Sequence, residues 1–435
     1  MLSGMFTSGC TAVLMAISYP IYLHKLGYQT YGIWIALAVV ISMSQLGNLG
    51  MSQALVKRVA EHFERREHEE IARYYSTAVF TLMILAGCLF GTLFVLKRPI
   101  LQLLGLNAKQ VAEYSALATG VFALSVMTFV VDVVAAVLSG IGRIDLYNYS
   151  QLATQAVSIL CALSLLLLNF KLGGMLVAQI AGYSTGLIFA VVCITKRVSK
   201  WPLRPAYYSP RHLKRLLGQG MFLASGWALS LLFHPVNKIL LAQSGQFALL
   251  PVYEIAVNLS MRLRNLFEAG QRALMPETSR LIGTREFSPT SIVSLLKSSL
   301  RGLLVYAAPL YVIVFLAATP LTRVWLGSSF NPLVPGAIRI FLIGTFVSLI
   351  GTPFYYALIG AGRAQAVLIA NGLQLGVNVL LVVALLRQSS APLFLTLGVA
   401  DLSLAVSSVT LALLMRRAIR SLRRHETLSV SVAAA

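Results

Sequence analysis

Six stretches of this chain, residues 26–56, 74–96, 172–195, 302–322, 340–362 and 364–386, contain no Asp, Glu, Lys or Arg. A hydrocarbon layer roughly 30 Å thick is crossed by about 20 helical residues, so each stretch is long enough to span it. Backbone polar groups in lipid must be satisfied internally, which leaves helices or closed strand barrels. Barrel strands alternate in polarity, whereas these runs are continuously apolar, and the pattern therefore predicts helices. With 57% apolar and only 11% charged residues, the chain as a whole lies far from soluble averages.

Apolar runs read against turn and charge signals predict spans at residues 2–23, 32–55, 75–96, 114–140, 148–169, 172–195, 219–243, 247–275, 295–318, 335–360, 364–386 and 391–415. The expected fold class is an all-α polytopic membrane protein of about twelve transmembrane helices. The first apolar segment lacks a basic start and a small-residue cleavage pattern, so it reads as a permanent span rather than a signal peptide. Cys10, Cys88, Cys161 and Cys193 all fall inside predicted spans, with spacing that suits neither a disulfide framework nor a zinc site. They read as small packing residues, and no cofactor is expected. The histidines, scattered from His24 to His425, have no metal-ligand spacing.

A formal net charge of +21 would suit a nucleic-acid binder, but the basic residues sit in short loops between spans. No nucleic-acid partner is therefore expected. One set of alternate loops carries most of them: Lys57 to Arg73, Arg143, Lys196 to Arg215, Arg280 to Lys297, Arg363 and Arg416 to Arg424. The opposite loops hold only Lys25, Lys97, Arg98, Lys109, Lys171, Arg323 and Arg387. The positive-inside tendency places the richer side, and with it both termini, in the cytoplasm of a multi-pass cell-membrane protein. The charged run EHFERREHEEIARYY reads as a solvated amphipathic surface helix.

A duplication organises the spans. Leu138, Gly140, Gly142 and Arg143 of LSGIGR recur 220 residues later as Leu358, Gly360, Gly362 and Arg363 of LIGAGR. Leu104-Gly105 matches Leu326-Gly327, Tyr31 matches Tyr253, Ala54-Leu55 matches Ala273-Leu274, and Pro20 matches Pro235 at similar offsets. Six spans between copies imply parallel halves, with a cavity between two six-helix bundles and rocking motion as the expected mode of alternating access. The predicted division is residues 1–195 for the first bundle, 196–218 for a basic linker, 219–415 for the second bundle and 416–435 for a cytoplasmic tail. Pro20 and Pro235 are expected either to shape the cavity by kinking their helices or to be ordinary packing kinks.

The eighth span, PVYEIAVNLSMRLRNLFEAGQRALMPE, is otherwise apolar but carries Glu254, Asn258, Arg262, Arg264, Asn265, Glu268 and Arg272. Charge at membrane depth faces a bundle interior or a watered cavity. Helical spacing places Glu254, Asn258, Arg262 and Asn265 on one stripe and Arg264, Glu268 and Arg272 on another. The second trio is expected to neutralise itself. Arg262, Arg264, Lys238 on the seventh span, Asn258 and Asn265 are candidate cavity groups for an anionic ligand, the alternative being ion pairs that hold the seventh and eighth spans in place. Glu254, Glu268, Asp132 and Asp401 are candidates for a coupling proton or for a structural ion pair. Arg301 and Arg339, nearer span ends, are expected to snorkel. Arg presents a planar fork suited to phosphate oxygens, so excess Arg and Lys points to a phosphate-bearing amphiphile.

Tyr19 through Gly27, Tyr31-Gly-Ile-Trp34, Leu46 through Arg58, Tyr253 through Arg262, Val324-Trp-Leu-Gly327 and Gly360-Ala-Gly-Arg363 give the chain an ordered set of motifs. In these it resembles the Wzx-type oligosaccharide and polysaccharide flippases, in the superfamily that also contains the MATE exporters. The resemblance implies a MATE-like fold of two six-helix bundles that moves a polyprenyl-diphosphate-linked oligosaccharide from the inner to the outer leaflet. The implied partners are that anionic lipid-linked oligosaccharide, membrane lipids and glycan-assembly proteins. No fixed motif transfers ligand positions, and the chain opens without the short polar segment often present in these flippases. A MATE-like drug or cation exporter is the alternative transporter, disfavoured by excess Arg. A membrane-embedded glycan-processing enzyme is disfavoured by short external loops and the lack of a catalytic constellation.

Overall fold

The computed structural model describes residues 2–48, 50–197, 203–283, 289–386 and 392–434. Its helices in chain order are α1 (Leu2–Ser44), α2 (Met51–Glu64), α3 (His68–Val95), α4 (Lys97–Leu103), α5 (Ala108–Gly140), α6 (Ile144–Leu167), α7 (Lys171–Arg197) and α8 (Pro210–Ala242). They continue with α9 (Leu249–Gln271), α10 (Leu274–Gly283), α11 (Pro289–Gly302), α12 (Ala308–Leu326), α13 (Leu333–Gly360), α14 (Ala364–Leu386) and α15 (Pro392–Ala434). Every predicted span has a helix beneath it, and there is no strand among the described residues. The protein is an all-helical, multi-pass membrane protein.

Nine helices among the described residues are long and apolar enough to cross a membrane. The first of these, Phe6–Asn48, holds two predicted spans, because Gly27 leaves helical geometry with φ 70° and ψ 165°. A straight helix would separate Tyr19 from Tyr31 by roughly 18 Å. Their ring centroids are 6.5 Å apart, and Tyr22 and Tyr31 are 5.5 Å apart, so the chain folds back at this glycine. Outside the nine are α8, whose apolar part Ala228–Ala242 is shorter, and the charge-rich α9.

Two boundaries differ from the sequence expectation. The second span does not run to residue 55. It ends at Ser44, passes through a 3-10 turn at Gln45–Asn48, and restarts as α2 after Gly50, which has φ 71°. Asn48 holds this corner, accepting from Ser52 N at 3.1 Å and donating to Ser52 Oγ at 2.7 Å. The charged run after it is not one surface helix either. Arg66 adopts φ 59°, Glu67 N donates to His62 O at 2.9 Å, and α3 begins at His68. Such a left-handed closure stops a helix whatever the amphipathic pattern beyond it.

By internal packing the chain divides into two compact units, Met1–Pro251 and Val252–Ala435. In the first unit Met51, Leu55, Ile71, Leu82, Phe129, Val137, Ala190 and Leu216 bring α2, α3, α5, α7 and α8 into one apolar core. α6 and α7 meet through small residues: a Cβ on Gly182 would fall 1.8 Å from Ser158 Oγ, and one on Gly186 1.9 Å from Thr154 Oγ1. Ser150 Oγ donates to Gly186 O at 3.1 Å across the seam. Close backbone approach with hydroxyl bonding is how helices associate where lipid offers no hydrophobic drive.

The start of α8 is also tied to this unit. Tyr74, fully buried on α3, has His212 edge-on at 4.4 Å, and Glu70 pairs with His212 at 3.0 Å. At the other end of α8, Gly105 with φ 82° lets the chain pass so close to Ala242 that a Cβ would lie 2.2 Å from its carbonyl. The seventh predicted span thus packs on helices that precede it, although the duplication pairs it with the first.

The second unit is organised around α13 and α15. A Cβ on Gly344 would sit 2.0 Å from Asp401 Oδ1, and one on Gly351 2.7 Å from Ser408 Oγ. Ser408 Oγ donates to Val347 O at 3.1 Å. Between α11 and α12 a single π turn, Leu303–Ala307, joins what the sequence presents as one span.

The duplication extends to backbone conformation. At the end of α5, Gly142 has φ 78°, its N donates to Ser139 O at 3.1 Å, and Arg143 N donates to Leu138 O at 2.9 Å. At the end of α13, Gly362 has φ 72°, its N donates to Ile359 O at 2.9 Å, and Arg363 N donates to Leu358 O at 2.9 Å. Both are Schellman closures built on the same Leu, Gly, Gly and Arg positions. In each, the glycine two positions earlier touches the preceding short helix: Gly140 against Val59 of α2, Gly360 against Met275 and Thr278 of α10. Gly105 and Gly327 also share positive φ at 82° and 52°.

Candidate functional site

α9 has 23 residues, or roughly 35 Å of helix, enough to cross a bilayer. Its charge makes a lipid-facing position untenable. Along it, Asn258 Nδ2 donates to both the backbone carbonyl and the Oε1 of Glu254 at 3.0 Å. Four residues on, Arg262 is half-buried and has an interaction of its own. Asn265, on the same stripe, is exposed.

The second stripe forms a closed set. Arg264 Nη1 meets Glu268 Oε2 at 2.6 Å, with less than a fifth of either side chain exposed. The other carboxylate oxygen, Oε1, accepts from Tyr356 Oη of α13 at 2.9 Å. Tyr355 stacks edge-on against Tyr356 at 5.0 Å. Arg264 lies within electrostatic reach of Tyr355 and of Tyr311 on α12, and Arg272 of Tyr356. Arg264, proposed from sequence as a ligand group, is therefore charge-balanced by Glu268, while the tyrosines supply hydroxyl donors beside it.

The sequence reading missed these tyrosines. The available signal was Tyr355-Tyr356 near the end of a charge-free span, where two adjacent hydroxyl-bearing rings are out of keeping with lipid exposure. Arg339 also departs from expectation. Its Nε donates to Phe315 O at 3.1 Å and its Nη2 to Thr319 Oγ1 at 2.9 Å, so it is pinned to α12 rather than snorkelling. Arg301 is exposed.

The remaining candidates belong to other helices. Lys238, half-buried on α8, belongs to the first unit and has an interaction of its own. Asp132 on α5 is half-buried within electrostatic reach of Tyr147 on α6, which bonds Gln151, and of Tyr183 on α7. Asp401 on α15 packs against Gly344. Among the described residues, no group of three or more His, Cys, Asp or Glu is placed to hold a metal ion. Of the loop cations, Lys200, Arg285 and Arg387 lie outside the described residues.

Solved structures of similar fold include an inward-facing multidrug resistance MATE family transporter of the MOP superfamily, with a TM-score of 0.77 at 14% identity, covering 94% of this chain and 95% of the other. A second is the lipid II flippase MurJ in an inward closed conformation, with a TM-score of 0.72 at 13% identity, covering 96% of this chain and 88% of the other. A third is a MOP superfamily transporter from Pyrococcus furiosus, with a TM-score of 0.66 at 16% identity, covering 97% and 94%. No curated protein sequence matches the chain. The model of the family described as polysaccharide biosynthesis protein matches residues 26–335, most of the chain. By that match, the protein belongs to the polysaccharide biosynthesis protein family.

Proposed function

We propose that this protein is a transporter that flips a polyprenyl-diphosphate-linked oligosaccharide from the inner to the outer leaflet of the cell membrane, by alternating access of its two repeats. The observation that carries this reading is α9, a membrane-length helix that carries Arg262 and Arg264 within a polysaccharide-biosynthesis family. The likeness in fold to a lipid II flippase supports the lipid-linked character of the cargo.

In this account Arg262 of the second unit contacts the diphosphate and Lys238 of the first unit is a separate candidate contact, since guanidinium forks and ammonium groups both suit phosphate oxygens. Arg264, Asn258 and Asn265 provide secondary contacts. Asp132, Asp401, Glu254 and Glu268 are the groups through which a coupling proton would act, with Glu268 doubling as the counter-charge to Arg264. Both termini face the cytoplasm, as loop charge implies. The flipped lipid leaves chemically unchanged.

A quench-protection assay in proteoliposomes tests the reading. A fluorescent polyprenyl-diphosphate oligosaccharide should become accessible to a membrane-impermeant quencher only when the protein is present. Preferential movement of organic cations, with no effect on the diphosphate lipid, would replace this reading with the exporter. Chemical alteration of the glycolipid by the purified protein would replace it with an enzyme.

A further inference from the structure

The two copies of the helix-ending motif differ in one respect that changes their charge. In the first copy, Asp145 accepts from Arg143 Nε at 2.9 Å and from its Nη2 at 2.7 Å, a two-pronged pair that neutralises the guanidinium. The residue 220 positions beyond Asp145 is Gln365, which carries no charge. Arg363 instead donates from Nη2 to Ser421 Oγ of α15. Its charge is not balanced from its own turn.

Ser421 brings Arg363 to further cations. Arg417 lies four residues earlier on the same face of α15, and Arg420 is adjacent to Ser421. Arg363, Arg417 and Arg420 are all exposed. Among the described residues, the neighbouring α11, α13 and α14 contain neither Asp nor Glu, and Glu286, between α10 and α11, lies outside the described residues. α10 packs on the end of α13, with Ser279 Oγ donating to Gly360 O at 2.8 Å, but its Glu277 is held by Arg280 at 2.7 Å. On α15 itself Asp401 lies several turns away, and the side chain of Glu426 lies outside the described residues.

Beneath these cations is an apolar core that includes Ile292, Leu296, Leu358, Val367, Met415 and Ala418. Guanidinium groups at the rim of an apolar helix bundle sit at headgroup level, where phosphate oxygens are the abundant anions. We propose that Arg363, Arg417 and Arg420 form an oxyanion site for a phosphate-bearing lipid headgroup at this end of the second unit. The first repeat lacks such a site because Asp145 already occupies its arginine. Two sources present this chemistry, an anionic phospholipid of the leaflet and the diphosphate of a polyprenyl-linked substrate.

Lipid retention by the full-length protein, read by native mass spectrometry, tests the site. The protein is offered phosphatidylglycerol, a short-chain polyprenyl diphosphate, or zwitterionic phosphatidylcholine. Gln365→Asp imports the acid of the first repeat without removing any arginine, and Arg363→Gln with Arg417→Gln removes the charges directly. Neither change touches the backbone closure, and thermal stability is recorded alongside. Both variants should lose roughly tenfold or more in apparent affinity for an anionic probe, with phosphatidylcholine unaffected. A loss confined to phosphatidylglycerol identifies the leaflet lipid as the source, one confined to the diphosphate identifies the substrate, and a loss for both identifies a shared site. Unchanged retention of both anionic probes, or an equal loss for phosphatidylcholine, overturns the proposal. Translocation is a separate reading, so failure here leaves the transport assignment standing.

Discussion

Tyr356 of α13 donates its hydroxyl to Glu268 Oε1 of α9 at 2.9 Å, while Arg264 holds the other oxygen of that carboxylate at 2.6 Å. One carboxylate thus fixes a charged helix to an apolar one and balances an arginine at membrane depth. Water cannot readily compensate a broken pair in such surroundings.

Removing Glu268 should therefore cost more than removing either of its partners' bonds. Glu268→Ala leaves Arg264 largely buried and unbalanced, a change that costs about 3–5 kcal/mol where one partner of a buried pair is removed. Tyr356→Phe removes one hydrogen bond to a charged group, worth about 1.5–3 kcal/mol. Thermal unfolding in detergent should rank wild type above Tyr356→Phe and Tyr356→Phe above Glu268→Ala. The reverse order would mean that the carboxylate does not organise the cluster.

The seam between α13 and α15 makes a second prediction. Gly344→Ala places a methyl group 2.0 Å from Asp401 Oδ1, whereas nothing lies within 4 Å of a Cβ on Gly376 of α14. Overpacking of this kind costs about 1–3 kcal/mol. Gly344→Ala should lower the melting temperature and Gly376→Ala should leave it unchanged or raise it, which a paired thermal-shift measurement checks.

The duplicated closures predict matched costs in the two repeats. Gly142 and Gly362 both hold positive φ, with open space around a Cβ, so an alanine at either meets only backbone strain. Gly142→Ala and Gly362→Ala should each destabilise by about 1–2 kcal/mol. Unfolding measurements that gave a large cost at one position and none at the other would break the equivalence.

How much of this was legible in the sequence varied with the physics involved. The spans were readable because lipid demands long apolar helices, and the pairing of LSGIGR with LIGAGR was readable because the same closure needs the same glycines. Helix ends set by left-handed residues were less visible: Arg66 is not a residue type that announces positive φ, and the corner at Asn48 depends on its bonds to Ser52. The internal balance of Arg264 and Glu268 followed from four-residue spacing. The tyrosine on that carboxylate did not, since Tyr356 is 88 residues away in the chain. Arg339 looked free to reach the interface because the carbonyl and hydroxyl that hold it belong to α12.

The central claim is that Arg262 and Lys238 engage an anionic lipid-linked cargo, and translocation by charge-removing variants tests it most directly. Initial rates of diphosphate-lipid translocation in proteoliposomes should fall roughly tenfold or more for Arg262→Gln and for Lys238→Gln, the size of one lost charge-assisted contact, with protein abundance near wild type. Wild-type rates in both variants would contradict the assignment.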